Sequence, residues 1–163
     1  MLSDKIIVCY FPATQESKSL SQSKKKIISP KEKKMEIVFL IGRIIVGVYW
    51  IFGGYAHFAQ AQAMIPYTQS KGVPFPGLAV RGSGAMIILG GLSILLGLYP
   101  LAGIALIALF IIPVAPIMHN FWTVQDPMAR QTDMNMFMKD ITMLGYTLML
   151  VLVPQPWVFS LSF

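Results

Sequence analysis

Residues 82–125 read GSGAMIILGGLSILLGLYPLAGIALIALFIIPVAPIMHNFWTVQ and contain no Asp, Glu, Lys or Arg side chain. An α-helix rises about 1.5 Å per residue and the hydrocarbon core of a bilayer is about 30 Å thick. The stretch is therefore long enough for two membrane-spanning helices. Pro100 lies near its middle and is a natural break between them. The sequence predicts an integral membrane protein with a helical hairpin in this region.

The composition agrees with a membrane location. Of the 163 residues, 55% are hydrophobic and 12% are charged, whereas a soluble domain averages about 25% charged residues. The single cysteine, Cys9, excludes an intrachain disulfide and any zinc or iron–sulfur site with several cysteine ligands. The chain has no Gly-rich phosphate loop and no basic patch with interleaved aromatic residues. We therefore predict no nucleic-acid partner.

The positive charge is concentrated in residues 1–34. This segment holds eight of the 13 Lys and Arg residues and three of the seven acidic residues, which is +5 of the net +6. It is rich in Ser and Lys and has no sustained hydrophobic period, so we predict a disordered cytoplasmic tail followed by a membrane domain over residues 35–163. An alternative is that the protein begins at Met35.

Four hydrophobic segments predict an all-α fold, a bundle of four transmembrane helices. The predicted spans cover residues 37–56, 80–98, 101–118 and 136–153. The Pro- and Gly-containing linker over residues 60–78 predicts a loop or a re-entrant segment, and residues 120–135 predict a second, polar loop. The very short link between the second and third spans predicts an antiparallel hairpin.

An even number of spans places both termini on one side of the membrane. With the basic tail present, the positive-inside rule puts the N- and C-termini of this predicted cell-membrane protein in the cytoplasm. Without the tail, Arg43 is outnumbered by the basic residues of the opposite side, and the rule leans the other way.

Glycines in the first two spans predict close helix–helix contacts, because Gly lets two backbones approach in lipid. They are Gly42, Gly47, Gly53, Gly54, Gly82, Gly84, Gly90, Gly91 and Gly97.

Ionisable groups in or beside a span are functional candidates, because placing them in the membrane is costly. Arg43 lies about two turns into the first span, where it either snorkels to the interface or binds an anionic headgroup or a substrate. His57 ends the first span and His119 the third, so both lie on the same side of the membrane. Such a pair suits haem or metal ligation or proton exchange with a quinone, or each is a polar helix cap. Two His without a third ligand favour no metal site.

The residues after the third span reach the same side of the membrane. Asp126 and Arg130 are spaced to pair across one helical turn, whereas Lys139 and Asp140 are neighbours whose side chains diverge on a helix. We expect one of the latter two to face the bundle and the other the interface. The polar set either forms the rim of a pocket or is a solvated loop; it comprises Asn120, Trp122, Asp126, Arg130, Asp133, Lys139 and Asp140.

Several short motifs recur in order along the spans. The first span reads Arg43-Ile-Ile-Val-Gly47 and then Gly53-Gly54 before His57, and the second carries Gly84, Gly90-Gly91 and Gly97. The third ends in His119-Asn120-Phe121-Trp122, and the fourth opens with Phe137-Met138-Lys139-Asp140 and continues to Gly145. In this order, over residues 35–153, they resemble the motifs of the DoxX family of small membrane proteins. The chain differs from that pattern in having His57 at a usual lysine, Asp140 at a usual Asn, and no acidic residue before the paired glycines.

The resemblance implies a four-helix membrane bundle. Some family members are subunits of terminal quinol oxidase or thiosulfate:quinone oxidoreductase assemblies, and others are linked to membrane complexes of oxidative stress. The resemblance favours an accessory subunit of a quinone-linked membrane redox complex. His57, His119 and Lys139 are the candidates for binding a quinone or haem. The residues leave open whether the protein is an enzyme. Two alternatives remain, a structural membrane protein that forms a homo-oligomer and an oligomeric transporter of a small solute.

Overall fold

The computed structural model describes residues 30–161. Within them the chain is helical and has no strand, which confirms the all-α prediction. The helices are α1 (Pro30–Ala59), α2 (Ala61–Ser70), α3 (Pro76–Leu96), α4 (Pro100–Met118) and α5 (Pro127–Met149), with 3₁₀ turns at Phe121–Thr123 and Leu150–Leu152. Most of the predicted tail, residues 1–29, lies outside the described residues, so its disorder stays a prediction; residues 30–34 belong to α1.

Three of the described helices are long and apolar enough to cross a membrane, at Lys31–Ala59, Pro76–Leu96 and Pro100–Thr123. Their outward faces carry large apolar side chains, such as Phe52, 70% exposed, and Leu109, 63% exposed. Such surfaces require lipid around them. The protein is an integral membrane protein; the identity of the membrane and the orientation of the chain stay predictions.

The fourth helix, α5, is present, but its predicted bounds of 136–153 are wrong. It begins nine residues earlier, at Pro127, and ends at Met149. The loop predicted over residues 120–135 is therefore wrong from residue 127 onward, whereas residues 120–126 do connect the two helices. Within the described residues it is not one of the helices apolar enough to span a membrane by itself, because it carries Arg130, Asp133, Lys139 and Asp140.

A capping signal explains the early start of α5. Asp126 has an extended backbone, and its carboxylate accepts a hydrogen bond of 2.7 Å from the backbone N–H of Ala129. Pro127 occupies the first helical position, where its missing N–H costs nothing. The hydrophobic period alone does not detect such a start, because the first turns of α5 are polar.

We predict that Asp126→Ala frays the start of α5. Loss of an N-cap costs about 1 kcal/mol, so amide hydrogen exchange over residues 128–131 should accelerate roughly fivefold in the detergent-solubilised protein. Asp126→Asn keeps a capping oxygen and should behave like the wild type. Unchanged exchange in the alanine variant would show that packing of α5, not the cap, sets where the helix begins.

Of the two alternatives for residues 60–78, a loop is wrong for the first half, which forms α2, and a re-entrant segment stays a prediction. Pro66 lies inside this helix and removes one backbone donor, but tertiary contacts hold the helix in place. The hydroxyl of Tyr67 donates to the carbonyl of Met118 at 3.0 Å, and Thr68 is buried. The chain breaks instead at Gly72, where φ is +78°, and α3 starts with Pro76.

The predicted hairpin between α3 and α4 is confirmed. Gly97 ends α3 in the left-handed region at φ +70°, and Pro100 starts α4. The Ser93 hydroxyl donates to the carbonyl of Tyr99 at 3.0 Å within this link.

Glycines bring α1 and α3 into backbone contact at two levels. A Cβ on Gly54 would lie 2.6 Å from the carbonyl oxygen of Gly84, and one on Gly91 would lie 2.9 Å from that of Gly47. Gly90 meets Gly103 of α4 in the same way, at 3.1 Å from its carbonyl oxygen. The core beside these contacts consists of Trp50, Ile87, Ile94, Ile104, Ile107, Ile111 and Trp157.

The prediction of close helix–helix contacts was wrong for Gly42 and Gly82, and Gly53 makes only an ordinary contact. Gly42 and Gly82 have nothing within 4 Å of an added Cβ, and Gly53 meets only the tip of Ile87, at 3.9 Å. Each lies on a helix face other than the one that carries the close contacts.

Arg43 does not snorkel to the interface. Its residue is 4% exposed, and its guanidinium donates to the backbone carbonyls of Val158 at 2.8 Å and Phe159 at 3.0 Å. Trp157, which is buried, packs edge-to-face on Phe39 with ring centroids 5.3 Å apart. Arg43 therefore fastens the C-terminal segment to α1.

Candidate functional site

A pocket of about 460 Å³ lies among the five helices. Its walls are mostly apolar and aromatic, including Trp50, Met86, Ile87, Phe110 and Val114. Its volume is in the range of small-molecule sites, about 300–1,000 Å³. The polar side chains that line it are Tyr49, His57, Tyr67, Thr68, Ser83, His119, Lys139 and Asp140.

His57 enters this pocket from the end of α1. Its Nδ1 lies 3.1 Å from the carbonyl oxygen of Val80 and 3.0 Å from the hydroxyl oxygen of Ser83. A carbonyl oxygen only accepts, so Nδ1 carries the proton and Nε2 of the neutral ring is a hydrogen-bond acceptor. The ring also packs on Phe110, with centroids 5.7 Å apart. The close approach of α1 to α3 at Gly84 sets the position of this side chain, since a Cβ there would lie 2.7 Å from the Cβ of His57.

His119 follows the last residue of α4 and lies between two carboxylates of α5. Its Nδ1 is 3.7 Å from Oδ1 of Asp133, and its Nε2 is 3.7 Å from Oδ2 of Asp140. Nδ1 is buried and has no hydrogen-bond partner. Asp133 and Asp140 are seven residues apart on a helix, which places them on the same face. Both ring nitrogens therefore face an acid, an arrangement that favours proton exchange over ligation of a haem iron.

Two lysines complete this group. The Lys71 ammonium donates to Oδ1 of Asn120 at 2.6 Å and lies 3.5 Å from Oδ2 of Asp133. The Lys139 ammonium lies 3.4 Å from Oδ1 of Asp140. We name these six residues the polar cluster: Lys71, His119, Asn120, Asp133, Lys139 and Asp140.

The prediction that Lys139 and Asp140 diverge is wrong for their charged groups. Asp140 is buried and faces the bundle, whereas the Lys139 side chain is 43% exposed. Their Cβ atoms do point in different directions, but the long lysine side chain folds back to the carboxylate. The expectation that one faces the bundle and the other the interface is consistent with these exposures.

The remaining candidates lie away from the pocket in the described part of the chain. Trp122 packs on Phe121 and Phe137, with centroids 5.1 and 5.8 Å apart, and Arg130 is exposed. The predicted pair of Asp126 and Arg130 is wrong, because the Asp126 carboxylate caps α5 and only the backbone N–H of Arg130 bonds to Asp126. Arg43 is 14 residues before His57 on α1, about 21 Å along the helix.

Sequence reasoning missed Ser83 as the partner of His57, and it did not place Lys71 or Tyr67 at the site. No local pattern indicated them, because α2 was predicted as a loop. The spacing of Asp133 and Asp140 was a usable signal, since residues seven apart share a helix face. This spacing indicates a shared face only on a helix, and residues 120–135 were predicted to be a loop.

Among the described residues, no group of three or more His, Cys, Asp and Glu side chains could hold a metal ion. The pocket is a mostly apolar cavity with a hydrogen-bond acceptor at His57 Nε2 and a donor at Lys139. His119 lines it and lies between the carboxylates of Asp133 and Asp140. This combination suits a flat apolar ligand with polar oxygen atoms.

A model of the DoxX family matches residues 38–120, just over half of the chain. The protein belongs to the DoxX family. The match in this DoxX protein runs from α1 to the end of α4, so it includes His57, His119 and Asn120. It ends before α5, and Lys139 and Asp140 therefore lie outside it. Comparisons with curated proteins and with solved structures found no match.

Proposed function

We propose that this DoxX-family protein binds a quinone in its pocket and acts as an accessory subunit of a quinone-linked membrane redox complex. The observation that carries the proposal is the convergence of His57, His119 and Lys139 on one apolar pocket of about 460 Å³. A quinone site needs an apolar slot with a few polar groups that fix the orientation of the ring.

The side chains of the pocket suit both redox forms of such a ligand. The Lys139 ammonium donates to a quinone carbonyl oxygen, whereas His57 Nε2 accepts from the hydroxyl of a quinol. Trp50 and Phe110, whose ring centroids are 6.2 Å apart, supply aromatic faces beside the ring.

An accessory role, in which partner subunits carry the electrons, suits the side chains that line the pocket. The pocket residues include no redox centre, and we assign the electrons to cofactors held by partner subunits. The alternatives are a structural homo-oligomer and an oligomeric solute transporter, neither of which requires a quinone.

We predict that the protein purified in mild detergent retains quinone, measured by mass spectrometry of an organic extract. His57→Ala and Lys139→Met should each weaken binding of a short-chain benzoquinone about tenfold, since each removes one hydrogen bond worth about 1–1.5 kcal/mol. Quenching of tryptophan fluorescence provides the measurement, because Trp50 lines the pocket.

Matched controls separate the site from general damage. Phe52→Ala changes an exposed residue of the same helix as His57, and Arg130→Gln removes an exposed charge from the same helix as Lys139. Both should bind the benzoquinone like the wild type. An extract with lipid alone, together with equal affinity in all variants, would overturn the proposal and favour the structural alternative.

A further inference from the structure

We propose that His119 is a proton relay that joins the solvated start of α5 to the quinone pocket, with Asp133 on its outer side and Asp140 on its inner side. The inference rests on the proposed function. It gives His119 a second role beside lining the pocket, and it gives roles to Asp133 and Asp140, which the proposed quinone contacts do not use.

The geometry places three ionisable side chains in order, from the exposed start of α5 to the pocket. Residues 125–132 are all exposed, and Asp133 follows them as a half-buried side chain. His119 spans the gap from Asp133 to Asp140, at 3.7 Å from each carboxylate. His119 and Asp140 line the pocket, whereas Asp133 is not among its lining residues. The series Asp133, His119, Asp140 therefore leads from the exposed start of α5 to the pocket.

The neighbouring charges suit a proton that passes through His119. Lys71 lies on the other oxygen of Asp133, Oδ2, and Lys139 on the other oxygen of Asp140, Oδ1. Each carboxylate thus presents one oxygen to a lysine and one to the imidazole. The charged form of His119 therefore has an anionic oxygen on both sides, while the two lysines balance the two acids. The other titratable side chains of the described pocket lining are Tyr49 and His57 on α1 and Tyr67 on α2.

A bound quinone takes up two electrons and two protons when it becomes a quinol. In the membrane, the electrons come from a partner redox subunit. His119 accepts a proton at Nδ1 from Asp133 and releases one from Nε2 to Asp140, which passes it to a ligand oxygen. Exchange with water restores the starting tautomer, and a second passage protonates the second oxygen. Neutral imidazole suits this role because it holds one donor and one acceptor nitrogen.

The test is voltammetry of the full-length protein loaded with a short-chain benzoquinone, with the electrode as the electron source. The integrated charge gives the amount of bound quinone, and the separation of the two peaks as scan rate rises gives the rate of coupled protonation. Because His119 also lines the pocket, the rate is compared per bound quinone, and His119→Gln should slow it about 100-fold, within the range for a removed acid–base group. Added imidazole should restore the rate in His119→Ala, which a purely structural role would not allow. Arg130→Gln should match the wild type.

The outcomes separate the two proposals. Absence of any protein-dependent quinone signal would overturn the proposed function, and the relay to a quinone with it. An equal rate per bound quinone in His119→Gln would overturn the relay alone.

A readout without quinone tests the same residues. In protein labelled with ¹⁵N, Asp133→Asn should increase the fraction of neutral His119 protonated at Nε2, and Asp140→Asn should increase the fraction protonated at Nδ1. A ring that responds to neither substitution is not coupled to these carboxylates, and the relay would be rejected even if quinone binds.

Discussion

Gly54→Ala is expected to separate α1 from α3 and to lower the free energy of unfolding by about 1–3 kcal/mol, the cost of overpacking a well-packed contact. The added methyl would lie 2.6 Å from the carbonyl oxygen of Gly84 and 2.5 Å from Cγ1 of Ile88. A side chain can rotate away from such a contact, but a helix backbone cannot. The whole of α1 must therefore shift, and the pocket with it, because His57 is one turn further along.

Two substitutions on the same helices serve as matched controls. Gly42→Ala on α1 and Gly82→Ala on α3 meet nothing within 4 Å, and alanine is the better helix former by about 1 kcal/mol. Both should be neutral or slightly stabilising. Unfolding of the detergent-solubilised protein by SDS, followed by tryptophan fluorescence, measures all three variants. Equal stability of Gly54→Ala and Gly82→Ala would show that the helices are not in the contact described.

Arg43→Met is expected to release the C-terminal segment, residues 154–161, from α1. Hydrogen bonds to a charged group contribute about 1.5–3 kcal/mol, and Arg43 makes two of them to the carbonyls of Val158 and Phe159. Methionine keeps the apolar stem and removes the donors. Amide hydrogen exchange at Leu161, which donates to the carbonyl of Leu96 at 3.1 Å, should accelerate at least tenfold.

The lysine variant refines this prediction. Arg43→Lys keeps the charge but loses the planar pair of donors that reaches two adjacent carbonyls, so its effect should be intermediate. Affinity for the benzoquinone should change little in either variant, because Arg43 is about 21 Å along α1 from His57. Unchanged exchange at Leu161 in Arg43→Met would mean that the burial of Trp157 alone holds the segment.

The site was partly visible in the sequence. His57 and His119 could be placed on one side of the membrane by counting spans, and both line the pocket. The role of Asp126 was misread because a cap and a charged pair have similar spacings. The carboxylate reaches the N–H three residues on, at Ala129, and not the side chain four residues on, at Arg130. Ser83 and Lys71 could not be assigned, since each acts on a residue far away in the chain.

The helical membrane fold and the position of the turn between α3 and α4 could both be predicted from the amino-acid sequence. Those features depend on local composition, because apolar length sets a span and Gly97 and Pro100 set the break between helices. The order of the motifs along the chain also indicated the DoxX family.

The packing of the helices, in contrast, was needed to learn which glycines are contacts, where Arg43 donates and how the carboxylates of α5 flank His119. Gly54 and Gly82 look alike in sequence, yet one faces a backbone and the other faces outward. The physical reason is that a buried charge or a missing side chain acquires its role from the group that lies opposite it. That group belongs to another helix, and its distance is set by packing rather than by spacing along the chain.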